Sequence, residues 1–250
     1  MRPFPLSTLW FIFAALLLGS LYAGHASASP AELYQQSGMA QHQQHFQAAL
    51  QSAQQRYARQ LPPAVQETLV RNSSQRFEPQ GMHDRAQARL ALAMEPAAIQ
   101  QALTFFNSPL GSEIVSAETR ASAPASVAAM QQGLPAQQLS AERRALIERL
   151  ATRLPALELG VEVSMALTGL AAQSANDLLG GLMKIPQQGG SESRDRLREQ
   201  MRPNLSDTLA YIYRDLDDDE LTRFAEWTES AGGQSFYRAT EQAVRDALNP

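Results

Sequence analysis

This sequence predicts an all-α fold of two related helical units following an N-terminal export signal, and three observations predict it. Alanine, glutamine, leucine and arginine abound while β-branched residues are sparse, a composition that favours helix over strand. Apolar residues recur at three- and four-residue spacing between serine, proline and glycine signals of the kind that start and stop helices. A single shift of the numbering also lays Phe105 on Trp227, Ser108 on Ser230 and Gly111 on Gly233. A self-match of this kind marks a stacked, duplicated unit.

The N-terminus carries a targeting pattern. Arg2 supplies a positive start, Trp10 to Leu18 an apolar run, and Ala26-Ser27-Ala28 the small-x-small site of a signal peptidase. Cleavage is expected after Ala28, leaving residues 29–135 as a first helical unit and 136–250 as a second. The expected compartment is the periplasm or the cell exterior. Gly19, Ser20 and the Ala-Ser-Ala pattern argue against an uncleaved anchor.

Ser29-Pro30-Ala31-Glu32 offers a capping serine with proline at the first helical position, and Gly38 ends that short helix. Met39 to Gln60 is glutamine-rich, with Phe46, Leu50 and Tyr57 on one stripe, so it reads as an amphipathic helix. Pro62-Pro63 breaks it, and Ala64 to Phe77 resumes with Val65, Leu69 and Val70. A further helix is expected over Met82 to Met94. Glu95-Pro96 starts the next, whose buried face is Ile99, Ala102, Leu103 and Phe106, with Phe105 beside it. Asn107-Ser108-Pro109 stops it, since proline disfavours the helical conformation before it and has no N–H to donate. Ser108 then caps a new helix with Pro109 at its first position. Gly111 admits a close backbone, and Gly133 with Pro135 closes the half.

In the second half Ser140 caps a helix to Leu154, and Pro155 precedes a long, weakly charged segment to Met183. That segment is expected to be the central, mostly buried helix. Ile185 to Ser191 reads as a loop. Beyond it Arg194, Arg196, Arg198 and Arg202 stand at helical spacing to Glu192, Asp195 and Glu199, an ion-paired solvated face. Asp215, Asp217, Asp219 and Glu226 imitate a calcium loop, yet Glu220 stands where that loop needs glycine. Leu221, Phe224 and Trp227 keep helical spacing through it. Asp217 to Glu220 therefore reads as a capping box.

These residues resemble a widespread exported bacterial family, catalogued as domain of unknown function twenty-fifty-nine, in two copies. Glu95, Ile99, Phe105-Phe106 and Ser108-Pro109-Leu110-Gly111 match its acidic helix start, aromatic residue and Ser-Pro-x-Gly corner. Asp219-Glu220-Leu221, Trp227 and Ser230-Ala231-Gly232-Gly233 match it more loosely. Arg144 to Leu182 is similar to the apolar helical segment before that corner. In the second copy Ala231 replaces Pro109, which removes the proline signal for a sharp turn. The resemblance implies an all-α periplasmic domain and brings no catalytic residue with it.

Functionally, 44% apolar residues suffice for a buried core, while 18% charged residues and a net charge of −4 give no basic excess for nucleic acid. The absence of cysteine excludes disulfides, thiolate metal sites and a cysteine nucleophile. His42 and His45 lie one helical turn apart without a carboxylate nearby on their helix. They are expected to be exposed polar residues, with no metal. No catalytic, metal or cofactor residue is assigned. The expectation is an envelope-associated, non-enzymatic helical module that binds a protein partner or an apolar ligand. A carboxylate-based hydrolase and a membrane-peripheral protein are the alternatives.

Overall fold

The computed structural model of the protein describes residues 29–170 and 190–249, and the expected signal segment lies outside them. Proline placement sets most boundaries in the first half. Helices α1 (Pro30–Gln36), α3 (Pro63–Arg76), α4 (Pro79–Ala93), α5 (Pro96–Phe106), α6 (Pro109–Ser122) and α7 (Pro124–Gln131) each open on a proline. At that position the missing N–H costs no hydrogen bond. The exception is α2 (Met39–Ala58), which Gly38 joins to α1 at a φ of 77°. A side chain on Gly38 would stand 2.9 Å from Val115 and Thr119, so this corner rests directly on α6.

Glutamines along α2 bond the chain ends beside it. Gln43 donates to the Pro79 carbonyl at 2.6 Å, Gln47 to that of Phe77 at 2.8 Å and Gln54 to the Ser73 hydroxyl at 2.8 Å. The helix is thereby amphipathic in a second sense: Phe46, Leu50 and Ala53 are buried while amides of its polar face fasten its neighbours. Two apolar expectations need correction. On α3 the buried residues are Thr68, Leu69 and Ser73, and Val70 is 41% exposed. The helix expected from Met82 begins three residues earlier, because Glu78 caps the free N–H groups of Gln80 and Gly81 at 2.9 and 2.6 Å.

The second half comprises α8 (Ala141–Arg153), α9 (Ala156–Thr168), α10 (Gly190–Met201), a 3-10 turn at Arg202–Asn204, α11 (Leu205–Ile212), α12 (Asp218–Glu229) and α13 (Ala231–Leu248). Of the segment expected to be the central helix, only residues 156–170 are described. There α9 ends at Thr168 before Gly169 and buries Val161 and Glu162, Leu170 is buried just beyond it, and Leu159, Val163, Met165 and Leu167 are half-buried. Residues 171–183 of that expectation, and 185–189 of the expected loop, lie outside the described residues, while Gly190 and Ser191 already belong to α10.

The central position belongs to α13. It lies along α4 and also touches α5, α9 and α12, and it buries Phe236, Tyr237, Ala239, Thr240, Ala243, Ala247 and Leu248. Its alanines let α4 come close. Arginines of the first half also collect the open carbonyls of its last turn. Arg85 donates to Asp246 and Ala247 at 3.1 and 2.9 Å, and Arg76 to Leu248 at 3.1 Å. Arg89 pairs with the Asp246 carboxylate at 2.6 Å. Positive charge at the negative end of a helix satisfies acceptors that have no partner within it. One hydrophobic core therefore runs through both halves, from Leu33 to Leu248. Among the described residues, no helix is long and apolar enough to cross a membrane.

The arginines of α10 also bond differently from expectation. Only Asp195 to Arg198, at 2.5 Å, is a pair within the helix; Arg198 reaches Glu158 at 2.7 Å and Arg194 reaches Glu162 at 3.1 Å, both on α9. The face thus fastens two helices instead of facing solvent alone.

The α5–α6 corner depends on having no side chain at residue 111. A β-carbon there would lie 2.0 Å from the Phe105 carbonyl oxygen, a backbone atom that cannot rotate away. Gly111→Ala is expected to cost about 2–4 kcal/mol in denaturant-unfolding free energy. Pro109→Ala is expected to cost less than about 1 kcal/mol, because the serine cap keeps the turn.

Candidate functional site

The two corners anticipated from the sequence are built alike and meet. At the first, Ser108 is extended (φ −77°, ψ 159°), donates to the Phe105 carbonyl at 2.6 Å and accepts from the Gly111 N–H at 3.0 Å. At the second, Ser230 has φ −67° and ψ 159°, donates to the Trp227 carbonyl at 2.6 Å and accepts from Gly233 at 3.1 Å. A β-carbon on Gly233 would stand 2.1 Å from the Trp227 oxygen, repeating the Gly111 contact. The turn is therefore sharp without a proline, contrary to the doubt raised by Ala231. The extended serine, its cap and the glycine contact suffice to make it.

Phe105 stacks face to face on Trp227, with ring centroids 3.8 Å apart and planes 9° from parallel. Both rings are half-buried. Phe106, fully buried, meets Trp227 edge-on at 5.3 Å and Phe236 at 4.8 Å. Phe224 lies parallel to Phe105 at 6.2 Å, and Tyr237 meets the Trp227 edge at 5.4 Å. Gly232, beside the second corner, lets Gln101 of α5 approach its backbone.

The other singled-out residues start helices. Glu95 caps α5 by backbone conformation alone, without a side-chain bond. Asp217 accepts the Glu220 N–H at 2.8 Å while Glu220 accepts the Asp217 N–H at 2.9 Å, a reciprocal box at the start of α12. Pro109 is exposed at the first position of α6. In the box, the Asp217 and Glu220 carboxylates each accept a backbone N–H and hold the turn in place.

Beneath the aromatic seam lies a polar cluster that sequence reading missed. Glu118 of α6 accepts a 2.6 Å hydrogen bond from the Tyr213 hydroxyl, which follows α11. Burial pushes the Glu118 carboxyl up to about 7, against the opposing pull of that bond. The same carboxyl raises Tyr213 and Tyr237, for both of which burial is the larger cause. Among the described residues, the buried Tyr237 hydroxyl has no hydrogen-bond partner. A carboxylate in the apolar stripe of Ile114, Ala117 and Ala121 was the available signal for Glu118. Tyr213 and Tyr237 resemble ordinary core aromatics in sequence.

Two further polar sites surround α6 and α9. His42 and His45 are half-buried, not exposed, and their Nδ1 atoms both lie 2.8 Å from the Ser122 hydroxyl. Burial pushes His42 down to about 4, with His45 adding to the shift. On α9, burial would raise Glu162, but Arg194 and Arg245 overcome it and hold the carboxyl below its usual value. It receives bonds from Arg194 at 3.2 and 3.1 Å and from Arg245 at 3.2 Å. Among the described residues, no three histidine or acidic side chains group as metal ligands.

An all-α protein whose two serine-glycine corners share an aromatic seam is the class that fold and site define. Residues 80–138, which span α4 to α7 and contain the first corner, match the model of a bacterial family described as "Uncharacterized protein conserved in bacteria (DUF2059)". The match agrees with the resemblance at Glu95 to Gly111; the second corner lies beyond it. No curated protein and no solved structure matches the chain.

The aromatic stack is expected to carry measurable energy. Phe105→Ala and Trp227→Ala should each cost about 2–4 kcal/mol, with a coupling near 1 kcal/mol in a double-mutant cycle. The Glu118 proton has a definite sign. A carboxyl raised on folding stabilises the native state fully below its unfolded value of 4.5, and that stability is lost as pH rises toward 7. Urea unfolding should show wild type losing on the order of 2 kcal/mol relative to Glu118→Gln between pH 5 and pH 8.

Proposed function

We propose that the chain is an exported, non-enzymatic helical module of the bacterial envelope, built from a duplicated hairpin, that binds a protein partner or an apolar ligand. The observation that carries this reading is the stack of Phe105 on Trp227. The two residues related by the sequence shift touch each other, so α5–α6 and α12–α13 form two like hairpins around one aromatic seam. Both rings remain partly open to solvent, and large, rigid, partly exposed aromatics suit recognition of apolar side chains or ligands. The segment matched to a bacterial family and the Arg2 to Ala28 pattern support a bacterial exported chain.

The hydrolase alternative calls for a second carboxylate facing the first. Glu118 faces tyrosines, and Glu162 is neutralised by two arginines. Peripheral membrane contact is the better second reading, because α9 keeps Leu159, Val163, Met165 and Leu167 half-buried on a weakly charged helix. Cosedimentation with liposomes would favour it over protein binding.

Two measurements test the proposal. Protein recovered from a periplasmic fraction should begin at Ser29, and an intact Met1 terminus in the cytoplasm would sink the export reading. Crosslinking in intact cells should capture a specific partner that Phe105→Leu weakens while circular dichroism stays helical. Capture unaffected by the substitution would count against the aromatic seam.

A further inference from the structure

Helix α6 is held at two successive turns by polar groups with opposite responses to acid. On the α2 side the hydrogen bonds close in one arrangement. The Ser122 hydroxyl donates its single proton to the Thr119 carbonyl at 3.1 Å, and its oxygen accepts an N–H from each imidazole at 2.8 Å. Both neutral rings then carry their proton on Nδ1. Protonating both keeps these bonds but creates two half-buried cations sharing one hydroxyl. Their Nδ1 atoms cannot be further apart than twice the 2.8 Å separation. Among the described residues, no carboxylate offsets them: the groups of α6 and the α1–α2 corner that approach His42 are Ser122 and Gly38, and the charge acting on it is that of His45.

One turn earlier on α6, Glu118 joins the helix to the second half through the Tyr213 hydroxyl. Among the described residues, the titratable groups facing it are Tyr213, just after α11, and Tyr237 from α13; the neighbouring Arg120 pairs with Asp215 at 3.2 Å. A proton on Glu118 weakens the Tyr213 bond itself but relieves the larger cost of holding a charge among aromatic rings, so this attachment is kept in acid.

We infer that α6 is a proton-operated latch: acidification releases α2 from α6 through His42, Ser122 and His45, while Glu118 keeps α6 fastened to Tyr213 at the end of α11. The direction follows from linkage. A histidine depressed on folding contributes stability above its unfolded value of 6.5, and loses it as pH falls toward about 4. Opening of α2 from α6 uncovers Val115 and Thr119, which the Gly38 corner covers. The inference is independent of the export and binding proposals, since it concerns a contact within the chain.

Hydrogen exchange by mass spectrometry at pH 7 and pH 5, corrected for intrinsic chemical rates, tests it. Amides of residues 39–46 and 115–122 should open on the order of 25-fold more at pH 5, with α12 and α13 unchanged or slower. His42→Gln, which keeps a side-chain donor, should flatten the response, and Glu118→Gln should leave it in place. Equal acceleration in every helix, no acceleration, or an unchanged slope in His42→Gln overturns the latch. An NMR titration of the unmodified chain gives an answer free of mutation: a His42 midpoint below about 5 supports the latch, and a midpoint near 6.5 overturns it.

Discussion

The stack of Phe105 on Trp227 is the contact on which the rest of the structure depends. Each ring leaves its helix at the last turn before a serine-glycine corner, so the corner geometry determines where the ring points. Ser108 and Ser230 spend both donor and acceptor capacity on their own backbones. Gly111 and Gly233 admit a carbonyl at a distance that any β-carbon would forbid. With both turns fixed, the rings can stack nearly parallel, and α13 is delivered onto α4. The local constraint and the packing of the two halves are thus one arrangement viewed at two scales.

Charge is used in this fold mainly to join helices. Arg85 and Arg76 close the last turn of α13, Arg143 bonds the carbonyls of Tyr213 and Leu216, and Arg194 and Arg245 converge on the buried Glu162. Arginine suits this work because its planar fork satisfies several acceptors at once. A pair at a half-exposed site adds little by itself, whereas a buried carboxylate such as Glu162 would be costly without both guanidiniums. Glu118 is the counterexample. It has a tyrosine and no cation, so its proton affinity rises and it stays sensitive to pH.

Sensitivity to protons is concentrated on one helix. Successive turns of α6 offer a hydroxyl to two imidazoles and a carboxyl to the Tyr213 hydroxyl, between Glu118 and Ser122. Burial disfavours the charged form of both groups, but the charge appears on acidification in histidine and disappears in glutamate. The two attachments of α6 therefore respond in opposite directions, which a single titrating group cannot do.

The sequence by itself determined the helical class, the proline-led starts at Pro30, Pro96 and Pro109, the Ser108 cap and the Asp217–Glu220 box. These depend on residues within four positions of one another. It also made the correspondence of Phe105 and Trp227 visible. Which helix is central was decided only in three dimensions: the apolar run after Ala156 looks more buried than α13, yet the alanines of α13 and the arginines that receive its end give it the closer packing. Val70 is apolar and exposed for a similar reason, since the neighbours of α3 lie against Thr68 and Ser73. The polar clusters were hidden as well, because Ser122 and His42, or Glu118 and Tyr213, lie roughly eighty and ninety-five residues apart in the chain. Local spacing encodes elements through backbone hydrogen bonds, whereas burial and proton affinity are properties of the neighbours that packing brings together.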